Sequence, residues 1–182
     1  MILTDREIQK LLKSKLISIE PRPALEAYDS TAVDLTLDPL IRVFRTNSPG
    51  LIIDPGAPGY QAKDLIRSAT DPVTIGEHGW DLPRGQLVLG WTIERVNLDY
   101  KGKVAARVEG KSGLARIGLG VHVTAPTIHA GFPGTIQLEL VNHGPLPIKL
   151  RSGMAICQLI VETIKGTPSK AHKSQFHGQS AR

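Results

Sequence analysis

The sequence predicts a mainly β domain opened by one short helix, on three observations. Short apolar runs recur along the chain from residue 31 onward, several with the alternation of a strand. Thirteen prolines and eighteen glycines punctuate them, as closely spaced turns require. Helical periodicity is confined to the N-terminus and one stretch at 61–69. Many short strands between such turns make a β-sandwich, jelly roll or barrel.

The elements follow in order. "MILTDREIQKLL" reads as a helix, with Thr4 and Glu7 as a capping box and Ile8, Leu11 and Leu12 as its apolar stripe. "TAVDLTL" (31–37) alternates, placing Val33, Leu35 and Leu37 on one face, and "LIRVF" (40–44) follows the Asp38-Pro39 turn. "SPGLIIDPGAPGY" (48–60) predicts a loop around a short strand, and "QAKDLIRSA" (61–69) one or two helical turns. Strands are then expected from "PVTIG" onward: 86–98, 102–110, "VHVTA" at 121–125, 134–142, 146–150 and 154–164. Residues 1–165 thus read as one β domain. Residues 166–182, polar and aperiodic, read as a flexible tail that a ligand or a neighbouring subunit would have to pin over the site.

Composition narrows the function classes. A chain of 182 residues with 41% apolar and 21% charged residues is an ordinary soluble domain with room for a core. No apolar run approaches the roughly 20 residues that span a bilayer, so no membrane partner is expected. "MILTDREIQK" is not a signal peptide, and the single Cys157 cannot form an internal disulfide, which together point to the cytoplasm. Within "GMAICQLI" that cysteine reads as an inert buried thiol. The net charge of +5 is spread along the chain and aromatics are only 4%, too few for a base-stacking platform. A small polyanion such as a nucleotide triphosphate fits that charge better than nucleic acid does.

"GKSGLAR" (110–116) looks at first like the end of a P-loop. That motif requires a glycine where this chain has Ala105, and a following amphipathic helix that "IGLGVHV" does not offer. A catalytic zinc needs three protein ligands, yet there is one cysteine and no His-x-Glu or His-Glu-x-x-His. Nor is there a G-x-S-x-G turn. Alternation in "TIQLELVN" sets Gln137, Glu139 and Val141 opposite Ile136, Leu138 and Leu140. Glu139 then faces a cleft or solvent, as a general acid/base or as a solvated strand residue.

Read whole, residues 108–160 resemble the signature region of the trimeric dCTP deaminase and dUTPase superfamily. "GKSGLARIGL" is similar to G-[RK]-S-S-L-x-R-x-G-L, and "VHVTA" with "GFPGTIQLEL" to H-x-T-A with G-[FW]-x-G-x-[IV]-x-L-E. "LPIKLRSGMAICQL", "STAVDLTL" and "LPRGQLVLGWTIERV" match further family segments, and the order is kept through most of residues 1–165. The resemblance implies a distorted jelly-roll or β-barrel of the dUTPase-like type and a homotrimer with sites at subunit interfaces. It implies hydrolytic deamination of dCTP to dUTP, without metal at the base. By position it assigns Glu139 as general acid/base, Ser112 to the attacking water, and Arg116 with the Ala125 carbonyl to the geometry around that water. It also assigns the backbone of Val123 and Ala125 to the cytosine edge. Lys111 with the backbone of Ser112 and Gly113 falls to the phosphates, and Mg²⁺ is carried on the triphosphate. His122, His129, Gln137, Gln175 and Gln179 complete the expected substrate contacts.

The chain departs from the family at several of these positions. Where the family writes Ile-Asp before the glycine turn, this chain has His129, whose neutral imidazole accepts one hydrogen bond but brings no negative charge. That implies altered sugar recognition and argues against α-phosphate cleavage by the dUTPase route. Gln175 replaces a family lysine, with Lys173 two residues earlier, and Gly113 replaces a serine. A dUTP pyrophosphatase and a non-catalytic nucleotide-binding regulatory trimer stand as the alternatives.

Overall fold

A computed structural model of the chain describes residues 1–45 and 52–168. Helix α1 (Asp5–Lys13) leads into β1 (Ile17–Glu20), β2 (Tyr28–Asp29), β3 (Ala32–Thr36) and β4 (Leu40–Phe44). Helix α2 (Ala62–Ala69), β5 (Thr70–Thr74), β6 (Trp80–Leu82), β7 (Leu87–Leu98) and β8 (Val104–Gly110) follow. The chain continues through α3 (Ser112–Arg116), β9 (Leu119–Gly120), β10 (Thr127–Ile128), β11 (Pro133–Asn142), β12 (Ile148–Leu150) and β13 (Ala155–Thr163).

One sheet runs β5-β4-β7-β11-β9 with β1 also on β7, a second runs β10-β8-β13-β3-β2, and β12 pairs with β6. The strand pairings are antiparallel. Their inner faces meet in one core that includes Val33, Leu35, Val88, Leu138, Leu140, Leu159 and Val161. Neither sheet closes on itself among the described residues, so the architecture is the jelly-roll form of the expectation and not its barrel form. Pro72 lies in β5 at a sheet edge, where a missing N–H breaks no ladder.

The alternation in "TAVDLTL" holds, with Val33, Leu35 and Leu37 fully buried. Helix α1 forms as expected, but the capping box does not. Thr4 makes no side-chain cap, the Asp5 N–H donates to the Ser30 carbonyl, and Glu7 turns forward to Lys10 at 2.5 Å. The chain pairing around Ser30 thus takes over part of the cap's work. "VHVTA" is not a strand: residues 121–125 form an irregular segment between β9 and β10. Threonine and valine favour strands, but residues 121–125 form no strand ladder with a neighbour. Of the loop at 48–60, residues 52–60 are described and contain turns without a strand.

Two buried polar side chains tie the layers. Glu94 on β7 accepts from the Thr36 N–H (2.8 Å) and hydroxyl (2.7 Å) on β3, so its carboxylate bridges the two sheets. Such pairing is what makes a buried charge tolerable. Asn142 donates to the Leu82 and Leu146 carbonyls at 2.9 and 2.8 Å and accepts from the Gly144 N–H at 2.9 Å.

Cys157 is fully buried in β13. Burial, and then the Glu94 and Asp34 carboxylates, push its thiol far above the usual range. A disulfide reagent such as Ellman's is therefore expected to label no thiol in native protein and one after denaturation, because the thiolate is the reactive form. Rapid labelling in native buffer would contradict this packing.

Candidate active site

The candidate residues lie on three pieces: strand β11, the segment 121–125 and helix α3. On β11 the burial alternates strictly, with Ile136, Leu138 and Leu140 in the core and Gln137, Glu139 and Val141 on the other face, half-buried. The register places Glu139 opposite Leu89 and Gln137 opposite Trp91, so both polar side chains stand beside large apolar neighbours on β7. A register shift between Thr135 and Gln137 lies just before them, and such bulges re-aim side chains next to sites.

The segment 121–125 is fastened at both ends and open in the middle. Val121 and Ile128 are buried, and the Pro126 carbonyl accepts from the Val108 N–H at 2.9 Å. Val123, Thr124 and Ala125 are exposed. Pairing of Gly120 with Val141 sends this segment back alongside β11. The Val123 N–H then donates to a Glu139 carboxylate oxygen at 3.3 Å. The structure thus joins two residues singled out from sequence on different grounds, the carboxylate and a backbone donor. His122 is half-buried, with Nε2 3.8 Å from the Glu109 carboxylate and Nδ1 buried without a hydrogen bond.

Within "GKSGLAR" Gly110 ends β8, Lys111 follows it, and Ser112–Arg116 form the five-residue helix α3. Leu114 packs against the core, while Ser112, Gly113 and Arg116 are exposed. A methyl group added at Gly113 would meet nothing within 4 Å. The helix packs against β9, the strand that pairs with β11. Among the described residues no hydrogen bond joins Ser112 or Arg116 to Glu139, and Arg116 makes no ion pair. His129 is exposed just after β10. Gln175 and Gln179 lie outside the described residues.

Sequence reasoning missed the acidic partners. Asp34 on β3 forms an ion pair with Lys111, and the Gln158 amide donates to the other Asp34 oxygen at 3.3 Å. Glu109 stands between Arg107, at 3.2 Å, and His122, and Arg107 also pairs with Glu162. The signals were Asp34 on the polar face of an alternating strand and Gln158 inside an apolar run. Their partners lie far away in sequence.

Cavities of ≈440 Å³ beside Leu12, Ser18 and Arg22, and of ≈370 Å³ beside Ile75, Glu77 and Arg151, include none of these candidates. No group of three His, Cys, Asp or Glu side chains suited to a metal occurs among the described residues. Among them too, no helix is long and apolar enough to cross a membrane.

The comparisons converge on one family. The model of the dCTP deaminase-like family matches residues 2–164. A dCTP deaminase of Rhodospirillum rubrum is 39% identical over 175 residues, 94% of this chain and 87% of that protein. One from Histophilus somni is 36% identical over 187 residues, 100% of this chain and 95% of that protein. The solved structure of 2'-deoxycytidine 5'-triphosphate deaminase from Agrobacterium tumefaciens matches with a TM-score of 0.68 over 89% of this chain, at 22% identity. The match takes in 48% of that longer chain, so this chain spans about half its length, and the likeness is one of fold. With a family model covering nearly the whole β domain and relatives this similar along most of their length, the chain belongs to the dCTP deaminase-like family.

Proposed function

We propose that this protein hydrolytically deaminates dCTP to dUTP and ammonia, with Glu139 as general acid/base. The observation that carries the proposal is Glu139 itself: in a member of this family, it stands half-buried on β11 with its carboxylate against the backbone of Val123. Water adds through its oxygen to C4 of the cytosine, and Glu139 takes the proton released and delivers it to N3. A second transfer, from the new hydroxyl to the amino group, breaks the C4–N bond, frees ammonia and leaves the carbonyl of uracil. Ser112 would hold that water, with Arg116 and the Ala125 carbonyl beside it. The backbone of Val123 and Ala125 would read the base, since fixed donors and acceptors suit a planar edge.

Lys111 and the N–H groups of Ser112 and Gly113 would meet the phosphates, and Mg²⁺ would arrive on the triphosphate, which suits a cation that keeps most of its own water. His122, His129, Gln137, Gln175 and Gln179 would complete the substrate contacts. We further propose a homotrimer with the site shared between subunits, acting in the cytoplasm. Its support is the openness of the site in one chain, where Ser112, Arg116 and Ala125 are exposed and the apolar Ile117, Val123 and Leu146 are 52%, 58% and 71% exposed.

Incubation with dCTP and Mg²⁺, resolved by chromatography with an ammonia assay, is expected to yield dUTP and one ammonia per turnover. Formation of dUMP would overturn the inference that His129 blocks phosphate cleavage. A melting temperature raised by dCTP without any turnover would place the protein among nucleotide-binding regulators.

A further inference from the structure

We propose that Asp34 is the positioning residue for Lys111, holding its ammonium ready for the nucleotide phosphates; this rests on the functional reading above. The two charges form an ion pair with side chains only 21% and 28% exposed, more sheltered than the surface pairs of this protein such as Lys149–Asp81 at 45% and 62%. The carboxylate has a fixed place of its own. Asp34 lies directly opposite Gln158 in the β3–β13 ladder, and the Gln158 amide holds its second oxygen at 3.3 Å. Strand register, rather than a mobile side chain, therefore sets where the acceptor stands.

A lone lysine loses much of its rotamer freedom when a ligand immobilises it. Pinned to Asp34, Lys111 has already lost much of that freedom before the nucleotide arrives, which is pre-organisation. The ammonium has three N–H donors, and one carboxylate oxygen leaves the others for phosphate oxygens. Lys111 is also the residue immediately before α3, so the pin fixes the start of the helix carrying Ser112 and Gly113. A further consequence is that Asp34 and Lys111 act as one unit, so their substitutions cannot be additive.

The test measures dCTP affinity by calorimetry for Asp34→Asn, Lys111→Gln and the double variant, each in a Glu139→Gln background that cannot turn over. Active-background kinetics run in parallel. Each single change is expected to weaken dCTP about tenfold, the size of one hydrogen bond to a charged group. The double variant should be no weaker than Lys111→Gln alone. KM should rise with kcat nearly unchanged, and Asp34→Glu, which keeps the charge, should recover most of the affinity. Additive losses, or a KM in Asp34→Asn equal to or below the parent's, would overturn the proposal. The parent protein neither binding nor converting dCTP would remove the functional reading itself. Parent-like binding by Asp34→Asn would remove this inference alone.

Discussion

Replacing Glu139 by glutamine is expected to lower kcat for dCTP deamination by roughly 10²–10⁴-fold, the usual worth of a positioned proton-transfer group. Shape is preserved in this exchange. The amide oxygen of glutamine can still accept the Val123 N–H that the carboxylate now accepts at 3.3 Å. The inward neighbours Leu138 and Leu140 are untouched, because alternation keeps residue 139 off the core face. What is lost is basicity: an amide cannot take a proton from water near neutral pH and return it to the ring. Nucleotide binding, followed by the dCTP-dependent rise in melting temperature, should therefore survive while ammonia release collapses. Wild-type turnover in Glu139→Gln would mean that the proton is carried by another group.

Alanine at position 118 should destabilise the fold by about 2 kcal/mol or more, combining left-handed backbone strain with overpacking. Gly118 has φ +95°, and a Cβ built there would lie 2.2 Å from the Gly144 nitrogen and 2.4 Å from its Cα. Both are backbone atoms that cannot swing away. Gly144 is held in turn by its N–H to Asn142 at 2.9 Å, and the His143 N–H donates to the Gly118 carbonyl at 2.8 Å. This crossing clamps the end of α3 against the turn after β11. Activity is therefore expected to fall together with stability. Thermal unfolding monitored by circular dichroism is the check, with Gly113→Ala as the comparison, since nothing lies within 4 Å of a methyl there. Equal melting temperatures for the two variants would refute the account of the crossing.

The legible parts of the molecule share one property, which is that their signal is local. Period-two alternation located β3 and β11, because a side chain's face depends only on its neighbours along the strand. The amphipathic stripe located α1, and an apolar run around Cys157 located β13. "VHVTA" misled because β propensity reports fit to a half-buried sheet, and residues 123–125 are exposed and form no ladder. The capping box at Thr4 and Glu7 does not form: Glu7 pairs with Lys10, while Ser30, distant in sequence, accepts from the Asp5 N–H.

The sequence by itself determined the fold class, the family, the core faces of β3 and β11 and the position of Glu139 off the core face, all carried by short-range pattern. Only the tertiary structure decided that α3 is a helix, that Val123 meets Glu139 and that Lys111 is paired with Asp34. The last contact joins residues separated by 77 positions. Such pairs depend on how strands are registered across a sheet, and register arises only when the whole core packs.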